Sequence, residues 1–204
     1  MRSPALKRAI DVVVAAVALV VLSPILAIAA LVVRLRLGSP VMFGQARAGM
    51  HGEPFHLHKL RSMTDERDPA TGELLPDDVR LTSLGRFLRS TSIDELPALL
   101  NVLRGEMSLV GPRPLFERYV PLYSPSQARR LDVKPGITGL AQVRGRNLLS
   151  WEDRFALDVE YVETWTIIGD VRILLETVRN VVRREGINAE GHVTMAPFTG
   201  TPKA

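Results

Sequence analysis

The chain has no cysteine, few aromatic residues (5%) and, along one stretch of 24 residues near its start, almost no charge. Each shortage excludes something. Without cysteine there can be no disulfides and no thiolate-ligated zinc or iron–sulfur centres, which agrees with a chain facing a reducing compartment. Scarce aromatics, with no basic patch interleaved among them, leave no stacking platform and argue against a nucleic-acid partner. The 204 residues have room for a membrane segment and one soluble domain of roughly 160, and no second domain is expected. No internal repeat is present.

The apolar stretch, residues 10–33, is interrupted only by Asp11. At about 1.5 Å per residue it makes roughly 36 Å of straight helix, enough to cross a bilayer. Arg2, Lys7 and Arg8 precede it, and Arg34 and Arg36 follow it. The positive-inside tendency draws a basic flank to the cytoplasm, so both flanks make the same demand. A helix that enters and leaves by one face satisfies both. Ser23-Pro24 near the middle supplies the bend: the proline lacks an N–H and its ring meets the carbonyl four residues earlier, while the serine hydroxyl can take a carbonyl a turn back. The expectation is a re-entrant, kinked membrane helix with Ser23 and Pro24 at the turn. A kinked single span is the alternative. A cleavable signal peptide is disfavoured, because its apolar part is usually about 7 to 15 residues long. Charge is also lopsided, +6 over residues 1–61 and −2 over the rest, which suits anionic headgroups or a phosphorylated lipid beside the membrane segment.

Beyond Gly38-Ser39-Pro40, residues 41–63 read as one or two short strands joined by a turn at 50–54, and residues 64–78 as a polar surface loop. From Leu84 the spacing turns helical, with Leu84, Phe87 and Leu88 on one face and Leu96, Leu99, Leu100 and Leu103 on another. Residues 151–165 and 169–184 read as two further helices. The second gathers Val171, Leu174, Leu175, Val178, Val181 and Val182 on an apolar side suited either to a membrane surface or to the domain core. The fold class expected is mainly α with a small β component. It divides into a membrane hairpin (1–40), a single domain (41–186) and a Gly/Pro/Thr-rich tail (187–204).

Chemistry concentrates in three places. Asp94-Glu95 is a pair of adjacent carboxylates just before a helix. Its structural alternative is capping: Ser92-Ile93-Asp94-Glu95 matches a capping box, or Asp94 itself is the N-cap with Pro97 in the first turn. Gly111-Pro112-Arg113-Pro114 holds an arginine between two residues of fixed φ, which either pre-orients a phosphate-matching cation or makes a rigid turn with the arginine in solvent. Lys134-Pro135-Gly136-Ile137-Thr138-Gly139, followed by Gln142, Arg144, Gly145 and Arg146, sets cations among glycines that allow close backbone approach, as a diphosphate requires. It lacks Walker or Rossmann spacing. His56 and His58 share a strand face but have no evident third ligand.

Together these segments resemble the bacterial sugar transferase family, specifically the small monotopic phosphoglycosyl transferases. The matching pieces are Lys7-Arg8 with Asp11 and Leu22-Ser23-Pro24, Pro40 to Phe43 with Gln45, Arg47 and Gly49, and Lys59-Leu60-Arg61-Ser62-Met63. They continue with Leu88-Arg89-Ser90-Thr91-Ser92-Ile93-Asp94-Glu95-Leu96-Pro97, Asn101-Val102, Met107-Ser108-Leu109-Val110-Gly111-Pro112-Arg113-Pro114, the 134–139 loop and Gly145-Arg146-Asn147. Ala98 and Leu60 depart from the family's usual glutamine and phenylalanine.

The resemblance implies one cytoplasmic catalytic domain at the bacterial cytoplasmic (inner) membrane. It would transfer a sugar-1-phosphate from a UDP-sugar to a polyprenyl phosphate and release UMP, as a first membrane step of polysaccharide or glycan biosynthesis. By the same resemblance Asp94 is the nucleophile that forms a phosphosugar-aspartyl intermediate, and Glu95 helps hold Mg²⁺. Arg113 is a nucleotide-binding candidate; Lys59, Arg61, Arg89 and Arg146 are candidates for phosphate contacts. A membrane-tethered scaffold that only binds lipid, and a one-step transferase using Asp94 as a metal ligand, are the competing readings.

Overall fold

The apolar stretch becomes a single helix, α1 (Pro4–Leu37), in the computed structural model, which describes residues 2–145, 149–183 and 197–200. Ser3 caps its start and Gly38, at φ 77°, ends it. Helical residues run without interruption through Ser23-Pro24, the position of the expected turn. The reason lies in the backbone hydrogen bonds. Pro24 offers no N–H to the Val20 carbonyl, and the Ser23 hydroxyl donates to that same oxygen at 2.8 Å. The orphaned acceptor is satisfied in place. Val13, Val17, Val20, Val21, Ile28 and Leu31 are all exposed, forming an apolar sleeve with no protein cover.

The start of α1 is built into the domain. Arg8 donates to the Val102 and Leu103 carbonyls at 2.5 and 3.0 Å, the last-turn acceptors of α4 (Ala98–Arg104). Lys7 donates to Asp170 and to the Val110 carbonyl. Ala15, Ala18 and Leu19 join the main core with Leu99, Val102 and Leu109. The basic residues expected to face headgroups are thus partly spent as fastenings.

After the linker, β1 (Met42–Ala48) and β2 (Pro54–Leu60) pair antiparallel, Met42 opposite Leu60 and Ala48 opposite Pro54. Alternation along β2 buries Phe55 and Leu57 and leaves His56 and His58 on the other face. The fully buried Asn101 of α4 ties this hairpin down: its amide oxygen accepts from His58 N and its amide nitrogen donates to His56 O. Residues 64–76 are irregular apart from single bridges, as the polar composition suggested. Two helices follow, α2 (Asp77–Arg80) and α3 (Ser83–Ser90), the latter capped by Thr82.

β3 (Ser108–Val110) lies parallel to β4 (Gly136–Thr138), which brings the two Gly/Pro loops face to face. Gly111 N bonds Thr138 O, and Gly136 N bonds Pro112 O. A Cβ on Gly136 would meet Gly111 N at 2.1 Å. These glycines serve loop-on-loop packing.

Two short elements, α5 (Pro125–Ala128) and α6 (Leu140–Arg144), precede the last helices, α7 (Trp151–Thr164) and α8 (Ile167–Arg183). The apolar side of α8 divides. Ile173 and Leu174 enter the core and Thr177 bonds Thr138, whereas Ile168, Val171, Leu175 and Val178 stay exposed. A second core is aromatic: Phe198, from the tail, is buried with Tyr119 and Phe155 and packs on Trp151.

Candidate active site

Asp94 and Glu95 occupy a 3₁₀ turn (Ile93–Glu95) between α3 and α4. Neither capping arrangement forms: Ser92 makes no side-chain cap, and the residue capping α4 is Pro97. Ser92 instead adopts the left-handed region (φ 57°, ψ 17°), a conformation that costs a non-glycine residue about 1–2 kcal/mol. That reversal swings the acid pair away from the helix axis and toward β2.

There Glu95 meets two cations from distant segments. Lys59 Nζ and Arg113 Nη2 both donate to Glu95 Oε1, at 2.6 and 2.7 Å. Among the described residues no donor reaches Oε2. Burial pushes the Glu95 carboxyl up, but the charges and hydrogen bonds of Arg113 and Lys59 outweigh it and hold the group well below the usual carboxylate range. Asp94, 6% exposed, has no hydrogen-bond partner among the described residues. Burial and the adjacent Glu95 charge push its carboxyl up, against the opposing pull of Lys59, Arg89 and Arg113. Two neighbouring carboxylates are thereby driven apart in acidity, a pattern found where they have different tasks.

Arg113 is held at its backbone as well as its tip. Its carbonyl accepts from Arg130 Nη2 at 2.7 Å, and Arg130 is itself paired with Asp158 at 2.8 and 3.0 Å, both side chains 2% exposed. The Pro114 carbonyl accepts from Arg47. Arg47 and Arg154 are each pushed down to about 10, by burial first and by the Arg113 charge second. Arg47 and Arg154 thus both lie within range of the Arg113 charge and are partly desolvated, which makes a positive recess suited to an anion of more than one charge. Beside it a cleft lined by Lys59, Glu95, Met107, Arg113, Pro114 and Ile137 encloses about 230 Å³ including its mouth. The cleft is half open to solvent, a groove rather than an enclosed cavity.

Of the residues singled out from sequence, Lys59, Arg89, Asp94, Glu95 and Arg113 converge. Arg89 donates to Ser62 while its charge acts on Asp94. Arg61 has other partners: it donates to the Ser39 carbonyl at 3.1 Å and pairs with Asp65, securing the linker behind α1. Arg146 lies outside the described residues. Ser23 and Pro24 lie within α1. Arg47 and Arg154 were not among the candidates. Arg47 stood in the Gln45-x-Arg47 segment of the resemblance, whereas Arg154 is one polar position in an ordinary helix and carried no signal.

A membrane-associated chain presenting an acid pair to a cationic groove is suited to handling anionic groups. The family model described as bacterial sugar transferase matches residues 2–184, and the chain belongs to that family. It is 57% identical over 196 residues, 96% of each chain, to an uncharacterized sugar transferase, EpsL, of Bacillus subtilis. It is 44% identical to a UDP-glucose:undecaprenyl-phosphate glucose-1-phosphate transferase of Caulobacter vibrioides, covering 86% of this chain and 69% of that one. It is 40% identical to an undecaprenyl-phosphate galactose phosphotransferase of Salmonella typhimurium, covering 89% of this chain and 41% of that one.

Proposed function

We propose that this chain transfers a sugar-1-phosphate from a UDP-sugar to a polyprenyl phosphate, in two displacements that both pass through Asp94. In the first, an Asp94 carboxylate oxygen attacks the sugar-bearing phosphorus; the bond to the bridging oxygen breaks and UMP leaves with that oxygen. In the second, the lipid phosphate attacks the same phosphorus, the bond to Asp94 breaks and the carboxylate is restored. The observation that carries this reading is the contrast within the pair: Asp94 is buried and undonated among the described residues, while Glu95 is pinned by Lys59 and Arg113. A carboxylate left without donors keeps its oxygen lone pairs available for attack, whereas one held by two cations has them engaged.

Arg113, Arg47 and Arg154 would receive the diphosphate, and Lys59 and Arg89 would oppose the charge that builds as two anions meet. Among the described residues no three His, Cys, Asp or Glu side chains gather as a metal cage. Two carboxylates with an unengaged Glu95 Oε2 fit Mg²⁺, which takes one or two carboxylates plus substrate phosphates. Glu95 would hold the ion, which when bound supplies neutralising charge on the diphosphate.

Re-entry of α1 is supported by its two ends. The first turns are fastened to α4 and β3 through Lys7, Arg8 and Asp11, and the exit is fastened through Arg61 and Ser39. Attachment of both ends to one domain favours both lying on one side of the bilayer, and the positive-inside tendency favours the cytoplasmic side. The exposed stripe of α8 would lie on the same surface. The acceptor's phosphate would then arrive at the groove from the bilayer while the nucleotide arrives from water, as an early membrane step of polysaccharide synthesis requires.

Purified protein given a UDP-sugar and Mg²⁺ without lipid tests this. A burst of UMP stoichiometric with enzyme is expected, abolished in Asp94→Asn. A one-step transferase gives no burst, and a lipid-binding scaffold gives no UMP under any condition.

A further inference from the structure

Asp11 is the lone charge of the apolar stretch, and it is 4% exposed. Its carboxylate accepts from Ser108 Oγ at 2.7 Å and from Leu109 N at 3.2 Å. Both donors belong to β3, and β3 runs directly into Gly111-Pro112-Arg113. A carboxylate out of water is costly unless well paired, and an apolar pair at the same positions would fill the space without that cost. What the carboxylate adds is direction: two fixed donors set the register of α1 against β3.

The end of β3 is held equally closely. The Val110 carbonyl accepts from Lys7 Nζ at 3.1 Å and from Tyr161 OH at 2.9 Å, and both groups also reach Asp170. From Val110 to Arg113 the chain has little slack, because Gly111 N is bonded to Thr138 O and Pro112 has a fixed φ. A displacement of β3 is therefore passed on to the arginine that holds Glu95.

Resting on the functional reading above, we infer that Asp11 is a positioning residue for Arg113, so that seating of the membrane helix sets the geometry of the donor groove. Asp11 touches no substrate; it acts through Ser108, Leu109 and the loop they carry. The acceptor lipid approaches from the membrane side and does not depend on this linkage.

The test uses the full-length protein in lipid nanodiscs. At saturating polyprenyl phosphate, Asp11→Leu is expected to raise KM for the UDP-sugar about tenfold with kcat within about threefold, as loss of buried hydrogen-bond acceptors that position a binding group would do. KM for the lipid should stay unchanged. Asp11→Asn keeps an acceptor for Leu109 N and a donor for Ser108 Oγ, and should restore donor KM to within about threefold. Ser108→Ala, which removes one of the two bonds, is the milder variant and should fall between. Amide hydrogen exchange of the segment 108–114 gives a readout that needs no substrate: it should quicken in Asp11→Leu and return in Asp11→Asn. Unchanged donor KM and unchanged exchange in Asp11→Leu overturn the inference, as does an equal loss through both substrates. If no UDP-sugar yields UMP with the unmodified protein, the functional reading fails, and the exchange measurement alone still decides the coupling.

Discussion

Arg113 Nη2 lies 2.7 Å from Glu95 Oε1, and this contact joins the loop after β3 to the acid pair before α4. The Glu95 charge in turn holds the Arg113 guanidinium more firmly protonated than usual, against the opposing effect of burial. Replacing Glu95 by glutamine should therefore leave Lys59 and Arg113 close together without their shared counter-charge. We expect Glu95→Gln to lose at least about 100-fold in turnover, the scale of losing one preorganised charge in a site. It should also lower the melting temperature at neutral pH. Because the Glu95 carboxyl is depressed in the folded state, its stabilisation is complete above the ordinary carboxylate range and fades as pH falls through the folded value. The melting difference between the two proteins should therefore shrink on strong acidification, which thermal unfolding at a series of pH values would measure.

Asp94 should show the opposite linkage. Its carboxyl is raised by burial and by Glu95, so ionising it costs the folded state stability as pH rises past the ordinary carboxylate value. Asp94→Asn is expected to remove catalysis yet melt higher at neutral pH, by about 2–4 °C for each kcal/mol gained in a chain of this size. Activity of the unmodified enzyme should begin to fall on acidification before an ordinary aspartate would protonate. Equal melting temperatures in the two proteins would count against a strained, buried carboxylate.

The buried pair behind Arg113 makes a third case. Asp158→Ala strands Arg130 in a site where both side chains are 2% exposed, and removing one partner of such a pair costs about 3–5 kcal/mol. Urea unfolding should register that loss. A double change, Arg130→Met with Asp158→Leu, should recover much of it, because neither charge is then left unpaired. Donor KM should remain raised in the double variant, since the Arg113 carbonyl has lost its donor.

Sidedness can be read directly because the chain has no cysteine of its own. Single cysteines at Ser3 and Ser39 are both expected to label from the cytoplasmic side in intact cells. In Pro24→Ala the Val20 carbonyl regains its normal donor and the helix is free to straighten. Part of that population should then carry Ser3 across the membrane. Unchanged sidedness in Pro24→Ala would remove Pro24 as the main determinant.

Several of these features are legible in the amino-acid order alone. The two strands around residues 50–54, the polar loop after them, the helical spacing around Leu84 and Leu99, and the two long final helices all follow local rules of alternation, periodicity and turn chemistry. Ser23 serving a carbonyl one turn back is equally local. Capping at Ser92 is where local rules mislead: the motif matches, but Ser92 takes a left-handed backbone and turns the pair elsewhere. The apolar side of α8 is visible as a stripe, yet which part of it meets the core is not, because Ile173 and Leu174 are chosen by what lies opposite.

Sequence by itself determined the inventory: one long apolar helix with a proline inside it, an acid pair, a proline-framed arginine and no thiol chemistry. Only tertiary structure decided the partnerships. Glu95 finds Lys59 and Arg113 across 36 and 18 residues, and Asp11 finds Leu109 across 98, whereas helical and strand periodicities reach only a few residues along the chain. Lys7 and Arg8 were legible as cations beside a membrane segment, but their use as fastenings depends on where α4, β3 and α8 stand. Charges choose partners by distance after folding, and that distance is set by how the elements pack.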